Sequence, residues 1–207
     1  MLKYFVGIVI LVVIAVGGYY TWDFFKRAPQ SPKVDNTTPS IQMATSTYAT
    51  TTFSIVYQND FAVDDLYFYD QFAGKPIDGV KFTIPLTMAT GTTLSSDTYL
   101  SIETLPRAQS CSGDIYVVPN VDAREVAEGG TVYSVATTSS AAAGNMYEEQ
   151  VWAIKDSSPC TAVRYFIHST DIGNYELGAI REFDRPALLR AFDTLRRALL
   201  LKSPQTP

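Results

Sequence analysis

The stretch CTAVRYFIHST, residues 160–170, has the pattern of an extended strand. Successive side chains of a strand point to opposite faces of its sheet, so every second residue shares a face. One face carries Val163, Tyr165 and Ile167. The other, more polar face carries Arg164, Phe166 and His168. An apolar face of this kind must be covered by another element, which predicts a half-buried sheet with a second layer packed on it.

Other segments show the same alternation and extend this strand into a sheet. They are TTFSIVY (51–57), GVKFTIPL (79–86), DTYLSIETL (97–105), DIYVV (114–118), GGTVYSVATT (129–138) and MYEEQVWAI (146–154). The last two are predicted to form a hairpin around a mobile tip, SSAAAGN (139–145). Pro85 lacks an N–H, so its strand should end there or lie at an edge. PNVDAREVAEGG, residues 119–130, is predicted to be a short helix closed by glycine.

The C-terminal segment has the pattern of an amphipathic helix. Asp184 can cap its first turn and Pro186 suits that turn, with the helix continuing to about Leu201. An apolar stripe recurs at helical spacing and consists of Leu188, Phe192, Leu195 and Leu199. The predicted fold class is therefore α+β, an antiparallel sheet covered by helices that include this C-terminal one.

The N-terminal 27 residues predict a membrane segment. Residues 4–22 contain no charge and, at ~1.5 Å per residue, would reach ~28 Å as a helix, about the hydrocarbon thickness of a bilayer. Residues 1–27 are thus a single transmembrane helix or, alternatively, a signal peptide cleaved after the small residues 15–17. Residues 28–47, rich in Pro, Ser and Thr, are predicted to be a linker. A folded domain over 48–203 and a tail over 204–207 follow.

The predicted location is the cell membrane, with a single span and the C-terminal domain outside the cytoplasm, or secretion if the segment is cleaved. Lys3 on one side and Lys26 with Arg27 on the other nearly balance the positive-inside rule, so the large following domain favours export. The net charge of −5 and the lack of a basic run argue against a nucleic-acid partner. A composition that is 46% hydrophobic supplies a full core for the domain.

The two cysteines and the single histidine point to a disulfide and away from catalysis. Cys160 lies eight residues from His168, ~26 Å along a straight strand, whereas a nucleophile and its base must approach to ~3 Å. Neither cysteine has a partner at metal-ligand spacing, so no metal site is predicted. An even pair in an exported domain predicts a Cys111–Cys160 bridge, against the alternative of two separate thiols.

One segment, DDLYFYDQFAGKPIDG (64–79), carries more aromatic residues than a half-buried strand can hide. The candidate binding residues are Tyr67, Phe68, Tyr69 and Phe72, with Arg164 and His168 added from the polar face of the 160–170 strand. Either a second layer such as the C-terminal helix covers both faces of this segment, or the aromatics form a recognition surface with acidic flanks.

The order of elements resembles the PsbP-like group of small extracytoplasmic domains. The resemblance is carried by the opening strand FSIVYQNDFAVD (53–64) and the closing helix FDTLRRALLL (192–201). Gln58 stands where that group has a proline, and Phe61 stands where it has a tryptophan. The chain also resembles membrane-anchored bacterial proteins of similar layout. The resemblance implies a fold and an exported location, and it implies no activity.

These observations favour a membrane-anchored extracytoplasmic binding or accessory domain over an enzyme. Its partner would be another envelope protein or a small ligand, and no cofactor is expected. The alternative is an envelope hydrolase whose site is assembled from distant residues such as His168, Arg164 and Asp171. A third hypothesis is a structural spacer without a ligand.

Overall fold

The structure, a computed structural model, describes residues 44–72 and 74–202. This part of the chain is mostly antiparallel sheet with a few helices, in agreement with the predicted class. The predicted anchor (1–27), residues 28–43 of the predicted linker and the tail (204–207) lie outside the described residues. Within those described ranges, no helix has both the length and the apolar character needed to cross a bilayer.

Eleven strands, two α-helices and two 3₁₀ turns make up the described chain. The strands are β1 (Thr45–Ala49), β2 (Phe53–Gln58), β3 (Ala62–Asp64), β4 (Phe68–Tyr69), β5 (Ile77–Thr83), β6 (Tyr99–Leu105), β7 (Arg124–Glu128), β8 (Thr131–Ala142), β9 (Asn145–Ile154), β10 (Cys160–Thr170) and β11 (Leu199–Leu201). The helices are α1 (Leu86–Ala89) and α2 (Arg185–Arg197), and the 3₁₀ turns are Gly113–Tyr116 and Ile172–Asn174.

The main sheet has the order β3-β5-β6-β10-β9-β8-β7, with β4 paired to β5, and a small sheet has the order β1-β2-β11. Strand β10 is central in the main sheet and pairs antiparallel with both β6 and β9. The predicted hairpin is confirmed, and its strands run on to a two-residue turn at Ala143 and Gly144, both with positive φ. Such a turn matches the twist of the two strands that it joins.

The face of β10 that carries Val163, Tyr165 and Ile167 forms the larger core. It is covered by α2 and by the small sheet, whose Phe53 and Ile55 are buried in the same cluster. Helix α2 contributes the predicted stripe, of which Leu188, Phe192 and Leu195 are buried. Asp184 caps the helix as predicted, because its side chain accepts a hydrogen bond of 2.9 Å from the Ala187 N–H.

A second, smaller core lies on the opposite face of the main sheet. Its buried residues are Tyr69, Ile77, Tyr116, Val117, Ala136, Val151, Ala153, Cys160 and Ala162. The chain between β6 and β7 covers this face and is joined to the start of β10 by the Cys111–Cys160 disulfide, whose Cα atoms are 5.1 Å apart. The predicted bridge is therefore confirmed. Because both faces of the sheet are covered here, the residues in the first half of β10 are buried whichever face they lie on.

Two predicted elements were wrong. The predicted strand at 114–118 is part of a 3₁₀ turn that packs so closely on the sheet that a Cβ on Gly113 would lie 2.6 Å from the backbone N of Ala136. The predicted helix at 119–130 is absent. Residues Arg124–Glu128 form β7 instead, and Gly129 and Gly130, both with positive φ, form the hairpin turn into β8.

The C-terminal helix ends at Arg197, earlier than predicted. Residues Leu199–Leu201 leave the helix and pair antiparallel with Phe53–Ile55 of β2. The edge of β2 thus supplies the hydrogen-bond partners of these residues, in place of the carbonyls that a longer helix would have offered. Strand β5 ends at Thr83, before Pro85, as predicted.

Candidate functional site

A cavity of about 360 Å³ opens on the face of the main sheet opposite α2. We call it the aromatic cleft. Its lining residues are Tyr67, Phe68, Tyr69, Asp70, Gln71, Tyr99, Ser140, Tyr147, Glu149 and Phe166. A cavity of similar size, about 380 Å³, lies beside Ser157 and Lys202, but short polar side chains and turn residues line most of it. Of these two cavities, only the aromatic cleft has both aromatic rings and carboxylates in its lining.

A row of aromatic rings crosses three strands along the floor of the cleft. Strand register places Tyr99 of β6 directly opposite Phe166 of β10, and the two rings stack with centroids 4.8 Å apart. Tyr67 meets the edge of Tyr99 at 5.5 Å, and Tyr147 of β9 lies 6.2 Å from Phe166. Tyr99, Tyr147 and Phe166 all lie on one face of the sheet. It is the more polar face of β10, on which Phe166 was predicted to lie. The rings of Tyr67, Tyr99, Phe166 and Tyr147 therefore form one contiguous row.

Beneath one end of this row lies a charged cluster centred on Arg164. The guanidinium is completely buried and forms a two-pronged pair with Glu103, with Nε donating to Oε1 at 2.7 Å and Nη2 to Oε2 at 2.8 Å. Nη1 donates to Glu149, and Nη2 also donates to the Tyr116 carbonyl at 2.6 Å. The ring of Tyr69 covers the guanidinium carbon at 3.6 Å. Arg164 therefore has no exposed donor left for a ligand.

The carboxylates of this cluster are held by further donors. Glu103 is fully buried and accepts hydrogen bonds from Ser101 Oγ at 2.7 Å and the Tyr67 hydroxyl at 3.3 Å. Glu149 keeps 19% of its side chain exposed and accepts from the Tyr69 hydroxyl. Two carboxylates and one guanidinium leave a net charge of −1. Burial disfavours the charged guanidinium, but Glu103 and Glu149 outweigh that effect and raise the pKa of Arg164 above its ordinary value.

Three phenols of the cleft, those of Tyr67, Tyr69 and Tyr99, are held in their neutral form. Burial, together with the negative charge of Glu103, raises the pKa of Tyr67 well above 10.0, and burial likewise raises that of Tyr69. Burial raises the pKa of Tyr99 to about 12, although hydrogen bonding to Tyr67 and the charge of Arg164 act against this rise. At neutral pH these hydroxyls are donors, which is the form that their contacts with Glu103 and Glu149 require.

His168 stands at the far end of the aromatic row. Its Nδ1 lies 2.8 Å from Asp97 Oδ1, its Nε2 lies 3.0 Å from Asn145 Oδ1, and its ring stacks on Tyr147 at 4.5 Å. Both ring nitrogens are thus occupied. The arrangement orients the ring and supports Tyr147 from behind.

The residues of the hydrolase alternative are not brought together. Arg164 bonds to Glu103, Glu149 and Tyr116, while the Asp171 carboxylate accepts from the Gly173 N–H at 2.7 Å. No hydrogen bond in the described ranges joins His168 to Arg164 or Asp171. Nor do three side chains of His, Cys, Asp or Glu converge as metal ligands anywhere in residues 44–72 and 74–202.

The structure places three of the predicted aromatic residues in the lining of the cleft. Tyr67 is half-buried, Phe68 is 53% exposed and Tyr69 is buried, while Phe72 packs behind Tyr69 with ring centroids 5.9 Å apart. The C-terminal helix does not cover this segment, because α2 packs on the other face of the sheet. The segment itself is the second layer, and its outer side borders the cleft.

Sequence reasoning missed the partners of these residues on the neighbouring strands. They are Tyr99, Glu103, Tyr116, Tyr147 and Glu149, while Phe166 was placed on the correct face without a role. Strand parity alone predicts that Tyr99 and Glu103 share a face of β6. The pairing of β6 and β9 with β10, which brings Glu103 and Glu149 to Arg164, has no local signal.

Comparison with known proteins gives no family assignment. No family model matches the chain, and no curated protein matches its sequence. Among solved structures, the chain is similar to a crystal structure from Bacteroides thetaiotaomicron, with 12% identity and a TM-score of 0.40 over 74% of this chain and 46% of that one. The chain thus spans less than half the length of that protein.

A second solved structure is the solution structure of cyanobacterial PsbP (CyanoP) from Synechocystis sp. PCC 6803. It has 13% identity and a TM-score of 0.38, over 79% of this chain and 96% of that one. The likeness of this chain to the PsbP-like fold is thus weak.

Proposed function

We propose that this chain is a membrane-anchored, extracytoplasmic accessory domain that binds a small organic ligand in the aromatic cleft. The uncharged segment at 4–22 and the Cys111–Cys160 bridge support the location, because disulfides persist in oxidising compartments. An accessory role fits this site because its charged groups Arg164, Glu103 and Glu149 are paired with one another.

The observation that carries the proposal is the combination of stacked rings and carboxylates in one concave surface. Ligand sites are commonly concave, largely apolar, and equipped with a few well-placed polar groups. The cleft has a volume of about 360 Å³, within the range of small-molecule sites. Partly buried hydrogen bonds to Glu103 and Glu149 hold Tyr67 and Tyr69 in place before a ligand arrives.

The test is ligand-observed NMR on the full chain in detergent. A panel of small organic probes is used, consisting of choline, phenol, benzoate and methyl glucoside. At least one probe should receive saturation transfer from the protein, and Tyr147→Leu should abolish that signal because it removes a ring of the cleft.

Tyr175→Leu is the matched control. Tyr175 is 41% exposed and lies outside the cleft, so its loss should leave the signal unchanged. If every probe signal survives Tyr147→Leu, or if no probe gives a signal, the proposed binding function is wrong.

A further inference from the structure

We infer that one end of the domain docks on an electrically neutral lipid surface through residues 171–182, which we call the apolar loop. The inference goes beyond ligand binding in the cleft and rests only on the membrane anchorage of the proposed function. It depends on the apolar side chains that the loop exposes, on the contacts that hold its base, and on the end of the sheet at which it lies.

The apolar loop connects β10 to α2, and all of its residues except Ile180 are exposed. Its exposed large apolar side chains are those of Ile172, Tyr175 and Leu177, of which Leu177 is fully exposed. Met146, at the start of β9, is also exposed and lines a cavity of about 310 Å³ together with Ile172. Large apolar side chains that are exposed together usually mark a contact surface.

Hydrogen bonds hold the base of the loop on both sides. At its start, the Gly144 carbonyl accepts from the Asp171 N–H at 3.0 Å and from Asn174 Nδ2 at 3.0 Å. At its end, the Arg181 N–H donates to the Gly91 carbonyl at 3.2 Å. The side chains between these points are therefore presented from a fixed base, and little ordering of the backbone is needed when they make a contact.

The chain enters the domain at the same end of the main sheet. In β1, Thr45 pairs with Gln58 at the end of β2, and β3 follows after three residues. Strand β3 pairs with the end of β5, which in turn pairs with the start of β6. Tyr99, at the start of β6, lies opposite Phe166, four residues before β10 ends and the apolar loop begins. The described chain therefore starts at the end of the sheet from which the loop leaves.

The length of chain before β1 brings this end close to a bilayer that residues 4–22 would cross. Residues 23–43 reach at most ~75 Å when fully extended, and any less extended linker brings the entry end nearer. Tethering of this kind raises the effective concentration of lipid at the entry end of the domain. Exposure alone does not single out the apolar loop, because Leu200 of β11 is also exposed. That strand pairs with the start of β2, at the opposite end.

The charges of the loop favour a neutral lipid surface over an anionic one. Its charged residues give a net charge of −2, from Asp171, Glu176 and Glu182 against Arg181. Anionic lipids attract basic segments and would repel this loop. Tyr175 suits a neutral headgroup layer, because tyrosine combines an apolar ring with a polar hydroxyl and is enriched at membrane interfaces.

The experiment introduces a fluorescent probe into the loop of the full chain as Leu177→Trp. The protein is reconstituted in phosphatidylcholine vesicles that contain dibrominated phosphatidylcholine, which quenches tryptophan in contact with lipid. Relative to the unsubstituted chain, the added emission should lie at a shorter wavelength than that of a tryptophan in water, and more than half of it should be quenched. Replacing part of the lipid with phosphatidylglycerol should reduce the quenching. Leu177 is fully exposed, so the substitution should not disturb folding.

Leu200→Trp is the matched control, because Leu200 is exposed but lies at the opposite end of the strands, and its emission should remain unquenched. Adding Ile172→Asp to Leu177→Trp should reduce the quenching several-fold, because a charge then replaces an apolar contact with lipid. Equal quenching at the two tryptophan positions would overturn the inference. A shift of the Leu177→Trp emission without quenching would also overturn it, and would indicate a protein contact instead.

Flotation of the unsubstituted chain with the same vesicles separates the inference from the proposed function. A chain that floats with the vesicles, while Leu177→Trp is not quenched, would refute the docking and leave the membrane anchorage in place. A chain that does not float would refute the anchorage and the docking together. Ligand binding in the aromatic cleft is tested independently of both.

Discussion

Replacing Arg164 with methionine should be among the most damaging single changes in the described chain. Methionine keeps much of the apolar stem but removes the guanidinium that neutralises Glu103. The Glu103 carboxylate is completely buried and would retain only Ser101 and Tyr67 as donors. A buried charge without its opposite charge is far less stable than the same group in water.

The expected loss follows from this burial. Breaking a buried ion pair by removing one partner costs roughly 3–5 kcal/mol. For a domain of this size, each kcal/mol lowers the Tm by about 2–4 °C, so Arg164→Met should lower it by about 6–20 °C. The double variant Arg164→Met with Glu103→Leu should recover a large part of the loss, because it also removes the stranded charge.

The assay is thermal unfolding of the full chain followed by near-ultraviolet circular dichroism, which reports the packed aromatic rings. Lys155→Met is the matched control, because Lys155 and Glu125 form an ion pair in which 34% and 68% of the two side chains remain exposed. That change should cost less than about 1 kcal/mol. An Arg164→Met variant as stable as Lys155→Met, or a double variant less stable than Arg164→Met alone, would contradict the reasoning.

Three further predictions concern the covering layer, a cleft phenol and the C-terminal helix. Replacing Cys111 and Cys160 with serine together should lower stability by ~4 kcal/mol on the chain-entropy estimate, measured as a fall in Tm; an unchanged Tm would contradict it. Tyr99 has its pKa raised from 10.0 to about 12, so its stabilising contribution is intact below pH 10 and lost as the pH rises towards 12. The difference in absorbance at 295 nm between the protein and its Tyr99→Phe variant reports the ionisation of Tyr99, and it should show none at pH 10. Ionisation of Tyr99 with a midpoint near pH 10 would refute the raised pKa. Asp184→Ala should cost about 1 kcal/mol in thermal unfolding, because the Ala187 N–H loses its acceptor; a cost near zero would show that the cap does not contribute.

The alternation of the strands made much of the sheet predictable. The parity predicted for 160–170 is the one found, with Val163, Tyr165 and Ile167 in the larger core and Arg164 on the other side. The errors arose where tertiary contacts decided the conformation. Residues 114–118 are apolar and β-branched enough to resemble a strand, but the close approach of Gly113 to β8 holds them in a turn.

The sequence indicated only part of the candidate site, namely the aromatic segment at 67–69 and the face of β10 that carries Arg164. The consecutive aromatics at 67–69 exceed what one covered face can hold, and all three line the cleft, while their role in binding stays a prediction. The prediction that Arg164 lies on the more polar face was correct in parity, yet its side chain is completely buried. Burial of a strand residue depends on which segment covers that face, and here the cover comes from Tyr69 and Tyr116, which are distant in sequence.

The amino-acid sequence by itself determined which residues of β10 share a face, the cap of α2 and the pairing of its two cysteines. These depend on backbone geometry within a few residues, or on there being a single possible pair. Only the tertiary structure decided that Glu103 and Glu149 flank Arg164, and that Tyr99, Phe166 and Tyr147 form one surface. Strand order and register result from many weak contacts between distant segments, and no short stretch of sequence carries their sum.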